Sequence, residues 1–254
     1  MFSSLKSQKI TLLIITSIIS GLLSAQFSTS RDEIERSSRL TWMRTKLNAP
    51  TPENPQIQVF VECITNQLIA VLPEEYQSMD WEILVFQDDS PNAFALLGGK
   101  IGVNTGIFQV AETPDALAAV IGHEIAHLTE DHVFERAQRH LAGEAINILG
   151  SAATGLYNTT RTATALAFTL PYSRLQETEA DITGLRYMSE AGFDPRSTID
   201  LWKNMSELQG SNRSEMASTH PSDSRRLGDL VLNMTDSLIA YNSAPTRANS
   251  CLIN

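Results

Sequence analysis

Residues 113–128 read Thr-Pro-Asp-Ala-Leu-Ala-Ala-Val-Ile-Gly-His-Glu-Ile-Ala-His-Leu. Thr113 suits a helix N-cap, Pro114 the first helical position and Asp115 the first turn, so a helix opens here and runs through the 120s into the 130s. Inside it, His123, Glu124 and His127 form an H-E-x-x-H pattern. Residues i and i+4 lie one turn apart on the same face, so two imidazoles can converge on one cation. Zinc bound this way lowers the pKa of its water towards ~7, and Glu124 lies close enough to take the proton without being a ligand. An isolated match of this kind is only moderately specific. Here the flanks Leu117, Val120, Ile121 and Leu128 are apolar, and burying two histidines and a glutamate among them is costly unless they act together.

A catalytic zinc usually takes three protein ligands and a water. The extended pattern with Gly at 130 and His at 133 is absent, because the chain has Glu130 and Val133 there. If the helix continues, His132 lies about 180° round from His123, and His140 lies further along the axis. Both are expected as solvated surface residues. The remaining source is a carboxylate from elsewhere. Ser173–Gly184 supplies one: Glu177 and Asp181 are i and i+4, with Gly184 continuing their stripe and Leu175, Ile182 and Leu185 beside it. In this reading Glu177 binds the metal, and Asp181 accepts the spare N–H of a ligating histidine. Glycine in line lets two helices approach closely, and Glu179 points away. On spacing alone, a solvated acidic face is an equal alternative.

The rest of the chain bounds the answer. It has 254 residues, 42% hydrophobic and 19% charged, which suits one globular domain. Its formal charge of −10 argues against nucleic-acid binding. Two cysteines, Cys63 and Cys251, exclude a four-thiolate metal site. They are left as either a pair or two free thiols.

Lys6 and Lys9 precede the uncharged run Ile10–Leu23, followed by Ser24 and Ala25. Residues 1–25 therefore read as a secretory signal peptide, or as an uncleaved N-terminal anchor. Residues 28–55 read as a helix and a Pro-rich linker, 56–235 as the main domain, and 236–254 as a tail. Apolar spacing predicts a helix over 56–72. Trp81–Phe86 is β-rich, and Asn92–Leu97 with Ile101–Asn104 flank Gly98-Gly99 as a hairpin. Ser173 caps a helix that ends near Gly192.

Three blocks in order, His123-Glu-x-x-His127, then Ser173-Arg-x-x-Glu177-x-Glu179-Ala-Asp181-x-x-Gly184, then Thr219-His220-Pro221-Ser222 with Arg226, resemble the metallopeptidase family of the heat-shock protease HtpX and the CAAX prenyl protease. The resemblance covers roughly residues 58–230. Leu97 departs from it, standing where the family has Pro, and the multiple spanning helices of those two proteins are absent, so the likeness is to the soluble, secreted bacterial members. It implies an α+β fold: a mostly α-helical single domain with a small β-sheet beside the zinc cleft. It implies one Zn2+ per chain on His123, His127 and Glu177, with Glu124 as general base. His220 would steady the oxyanion or fill the open zinc position at rest, and Arg226 would hold the oxyanion or a substrate carbonyl. Asn92, Ala93 and Phe94 resemble the strand that takes an extended substrate.

The implied function is a zinc endopeptidase of the bacterial envelope. It would act in the periplasm on misfolded proteins, with room for peripheral membrane association. The Ala/Gly/Thr-rich stretch 145–170 is a candidate gate to the cleft. A peptide-binding chaperone and a hydrolase of non-peptide amides remain as alternatives.

Overall fold

The structure, a computed structural model, describes residues 30–141, 172–209, 220, 224–245 and 251. The signal segment 1–25 and the candidate gate 145–170 lie outside these residues. In chain order the elements are α1 (Arg31–Asn48), α2 (Pro55–Ile69), the single turn α3 (Glu74–Gln77), β1 (Glu82–Phe86), β2 (Ala93–Leu96), β3 (Lys100–Asn104) and a 3-10 turn (Thr105–Gln109). Then come α4 (Pro114–Thr129), α5 (132–141), α6 (Arg174–Glu190), α7 (Ser197–Gln209) and α8 (Ser224–Ser243). The fold is α+β, mostly helical, as expected. Among the described residues, no helix is long and apolar enough to cross a membrane.

The three strands make one sheet in the order β1-β3-β2, with β1 parallel and β2 antiparallel to β3. The β2–β3 hairpin turns through Gly98 and Gly99 at φ +85° and +73°. Two consecutive left-handed positions favour glycine, which has no Cβ to clash. This leaves β2 as a sheet edge, with Asn92 leading into it.

The core lies between sheet and helices. Val61, Ile64 and Leu68 of α2, Ile101 and Val103 of β3, and Leu117, Ile121 and Ile125 of α4 are completely buried. Each such side chain contributes about 1.5–3 kcal/mol on burial. α1 starts at a capping box between Ser30 and Glu33. It covers the other sheet face: Trp42 packs edge-on against Phe86 and Phe94, and its Nε1 donates to Glu82 Oε2 at 2.7 Å. Cys63 and Cys251 form a disulfide that ties the C-terminal end to α2.

Three expectations are revised. The zinc-motif helix does not run on into the 130s. It stops at Thr129, and Asp131 takes φ +61° before α5 begins. Asp tolerates this left-handed backbone better than most residues. The supposed tail is helical to Ser243, because α8 packs on α6 and α7. On α6, Leu175 is exposed, and the buried stripe is Glu177, Ala180, Asp181, Gly184 and Met188.

Candidate metal centre

α4 and α6 pack against each other along their length, and the site is made where they touch. Thr113 caps α4 by accepting from Ala116 N, and Ser173 caps α6 in a capping box with Gln176. These fixed starts put His123, Glu124 and His127 opposite Glu177 and Asp181, all buried. His220, from the chain between α7 and α8, enters the same space and is also buried.

Nitrogen and oxygen atoms of His123, His127, Glu177 and His220 all lie within 4.8 Å of one another. His123 Nε2 is 3.1 Å from His127 Nε2 and 3.5 Å from Glu177 Oε2. His127 Nε2 is 3.4 Å from Glu177 Oε1. His220 Nδ1 is 3.2 Å from His123 Nε2 and 3.1 Å from Glu177 Oε1. A tetrahedral zinc with N and O ligands at its usual bond lengths spaces them about 3.3 Å apart. The donor set therefore fits one such ion. Glu124 Oε1 is buried without a hydrogen-bond partner, 3.4 Å from His220 Nε2.

The outer contacts fix which nitrogen of each ring faces inward. His123 Nδ1 lies 3.0 Å from Asp181 Oδ1, so its Nε2 is left for the centre. Arg226 grips Asp181 from behind, with Nε to Oδ2 at 2.6 Å and Nη2 to Oδ1 at 2.8 Å. The same guanidinium reaches Glu177 Oε2 at 2.6 Å and stacks on Trp202. His127 Nδ1 is 3.1 Å from His132 Nδ1, whose Nε2 is 3.2 Å from Glu179 Oε2. With Nε2 of His127 turned to the centre, its Nδ1–H donates to His132, and His132 Nε2–H donates to Glu179.

The electrostatics follow. Burial alone would push His123 down, but the Asp181 and Glu177 carboxylates beside it outweigh this and raise its pKa to about 9. Burial wins at His127, which falls well below its ordinary value. Burial would raise Glu177, yet hydrogen bonds from His123, His127 and His220 hold it far below the carboxylate range. At Asp181 burial is likewise outweighed, chiefly by Arg226.

Several placements differ from the sequence reading. His132 and His140 are buried, not solvated. The break at Glu130-Asp131 swings His132 back beneath His127, where a continuous helix would have carried it away. Glu179 turns out to reach His132 while keeping its side chain 57% exposed. Arg226 does not face a substrate oxyanion, since its donors are spent on Asp181 and Glu177 on the far side of the ligands. Asn92 and Ala93 are buried and Phe94 partly so. They share a cavity of about 360 Å³ with Glu124 and His220, which opens along β2 towards Thr41 and Thr45 of α1.

The comparisons with known proteins agree with this geometry. The model of peptidase family M48 matches residues 55–232. Mitochondrial metalloendopeptidase OMA1 of Schizosaccharomyces pombe is 37% identical over 172 residues, 66% of this chain and 50% of its own length. The protein of that name from Saccharomyces cerevisiae is 28% identical, over 74% of this chain and 59% of its own. The beta-barrel assembly-enhancing protease of Escherichia coli (strain K12) is 26% identical, over 72% of this chain and 40% of its own. The chain thus spans about half the length of these relatives. The mitochondrial proteins share more of the sequence than the bacterial one, so the periplasmic placement read from residues 1–25 does not hold. On the strength of the family match over residues 55–232 and of the motif helix it contains, the chain belongs to peptidase family M48.

Proposed function

We propose that the chain is a zinc-dependent endopeptidase acting in protein quality control, on segments of misfolded protein laid along the β2 edge. The observation that carries this reading is the convergence of His123, His127 and Glu177 beside an unpartnered Glu124, at the end of a cleft bordered by an edge strand. The edge can pair with an extended substrate by backbone hydrogen bonds, which orients a peptide without fixing its sequence.

A zinc ion held by His123, His127 and Glu177 would supply Lewis acidity to a peptide carbonyl and to the attacking water. Glu124 takes the proton from that water and returns it to the leaving amine. Its buried Oε1 is free for both transfers. Asp181 and His132 keep the two imidazoles in the ligating tautomer, and Arg226 holds Asp181 and Glu177 in place. His220, whose Nδ1 lies 3.1 Å from Glu177 Oε1 and 3.2 Å from His123 Nε2, would compete with substrate for the open position that a catalytic zinc needs.

The fungal relatives support a mitochondrial setting. The disulfide between Cys63 and Cys251 supports folding away from a reducing environment. A second reading, a peptide-binding factor that does not cut, is favoured only by His220 closing the site. Casein cleavage by wild type and by Glu124→Gln separates the two. The endopeptidase reading expects wild-type cleavage and a loss of at least roughly 100-fold in the variant, with zinc content unchanged. Equal rates in both proteins contradict it.

A further inference from the structure

Among the described residues lining the cleft, one cationic side chain is not used by this mechanism. Arg136, on α5, is 6% exposed. It lines the same cavity as Glu124, His220, Ala93 and Phe94. Its Cζ sits 4.1 Å over the Tyr172 ring, and Tyr172 stacks in turn on His127 at 3.7 Å. Among the described residues, its guanidinium makes this ring contact but no ion pair and no hydrogen bond. Neither acidic group on the cavity wall pairs with it. Asp88 accepts from the Ser90 N–H and hydroxyl, and Glu124 faces His220.

A permanent charge with five N–H donors, left nearly buried with no anion beside it, is costly unless a ligand supplies one. Arg226 shows how this fold treats a buried guanidinium whose role is structural, since the Asp181 and Glu177 carboxylates both engage it. Arg136 instead lines the cleft with no carboxylate on it. That geometry matches a carboxylate bidentately.

We infer that Arg136 is a carboxylate-recognition subsite of the substrate cleft. Its ligand is either an Asp or Glu side chain of the substrate or the free C-terminal carboxylate of a peptide. The inference rests on the endopeptidase reading. The Tyr172 ring lies 4.1 Å from the Arg136 guanidinium on one side and 3.7 Å from the His127 ring on the other, so the carboxylate falls roughly two residues of extended chain from the scissile bond. Arg136 therefore sets specificity and takes no part in the proton transfers.

The test uses the full chain carrying Glu124→Gln, so that nothing is cut, and fluorescein-labelled extended peptides read by anisotropy. One arm compares Glu with Gln at successive positions, and the other compares a free C-terminus with its amide. The expected result is binding of the charged form roughly tenfold tighter in one arm. The added substitution Arg136→Gln removes that difference, while Arg136→Lys keeps part of it. Equal binding of charged and neutral peptides overturns the inference, as does a preference that survives Arg136→Gln or an absence of binding in every arm. Should Arg136→Gln fail to fold, the isostere comparison on the Arg136 protein decides alone. Casein cleavage by wild type is scored separately: cleavage without any charge preference sinks this subsite only, whereas no cleavage sinks the endopeptidase reading.

Discussion

Gly122 and Gly184 meet where the two site helices cross: a Cβ built on Gly184 would lie 2.8 Å from His123 N and 2.9 Å from the Gly122 carbonyl carbon. This contact is backbone against backbone, so no side-chain adjustment relieves it. It sets the distance between α4 and α6, and with it the reach of Glu177 to the imidazoles of His123 and His127. Gly184→Ala is expected to destabilise the fold by about 2 kcal/mol and to lower zinc content. Gly122→Ala, whose Cβ would come no nearer than 3.1 Å to Gly184 O and 3.7 Å to the next atoms, should do less of both. Urea unfolding with metal analysis checks the order. A harmless Gly184→Ala would show that the helix spacing is set elsewhere.

The chain from His127 through His132 to Glu179 holds one ligand in its tautomer. Losing such an outer partner typically weakens metal binding by roughly 10–100-fold. His132→Ala is expected in that range, measured as zinc dissociation against a chelator. Glu179→Gln should have a smaller effect, since its exposed carboxylate is shared with water. Zinc retention equal to wild type in His132→Ala would reduce His132 to packing.

Arg226 and Asp181 form a buried ion pair with two hydrogen bonds. Removing one partner strands the other charge, so Asp181→Asn is expected to destabilise by roughly 3–5 kcal/mol. The double variant Asp181→Asn with Arg226→Met should lose clearly less than the sum of the two single changes. Denaturant unfolding of the four proteins closes the cycle. Strict additivity would mean that the pair does not act as a unit.

Much of the site was legible because its spacing is local. His123, Glu124 and His127 share one helix, and Glu177, Asp181 and Gly184 share another, so 3.6-residue periodicity alone aligns each set. The Gly98-Gly99 turn likewise marked the β2–β3 hairpin. What could not be read was anything that depends on where a helix stops. No periodic signal distinguishes Glu130-Asp131 from a helix interior, yet Asp131's left-handed backbone reverses the side on which His132 lies and carries Arg136 into the cleft. Arg226 was read from its motif as reaching the site, and its guanidinium lies 2.6 Å from Glu177 Oε2. Its orientation, behind the ligands rather than facing substrate, is decided by the Asp181 carboxylate across the packing of α6 on α8. The parallel pairing of β1 with β3 leaves no trace in either strand.

The central claim is that one metal ion is shared by His123, His127 and Glu177. Its most direct measurement is zinc stoichiometry of the purified chain, followed by X-ray absorption at the zinc edge, for wild type and for His123→Ala, His127→Ala and Glu177→Ala. The account predicts one zinc per chain in wild type, a shell of nitrogen and oxygen without sulfur, and loss of bound metal in each variant that remains folded. Full zinc occupancy in a folded Glu177→Ala protein, with an unchanged absorption spectrum, would contradict it.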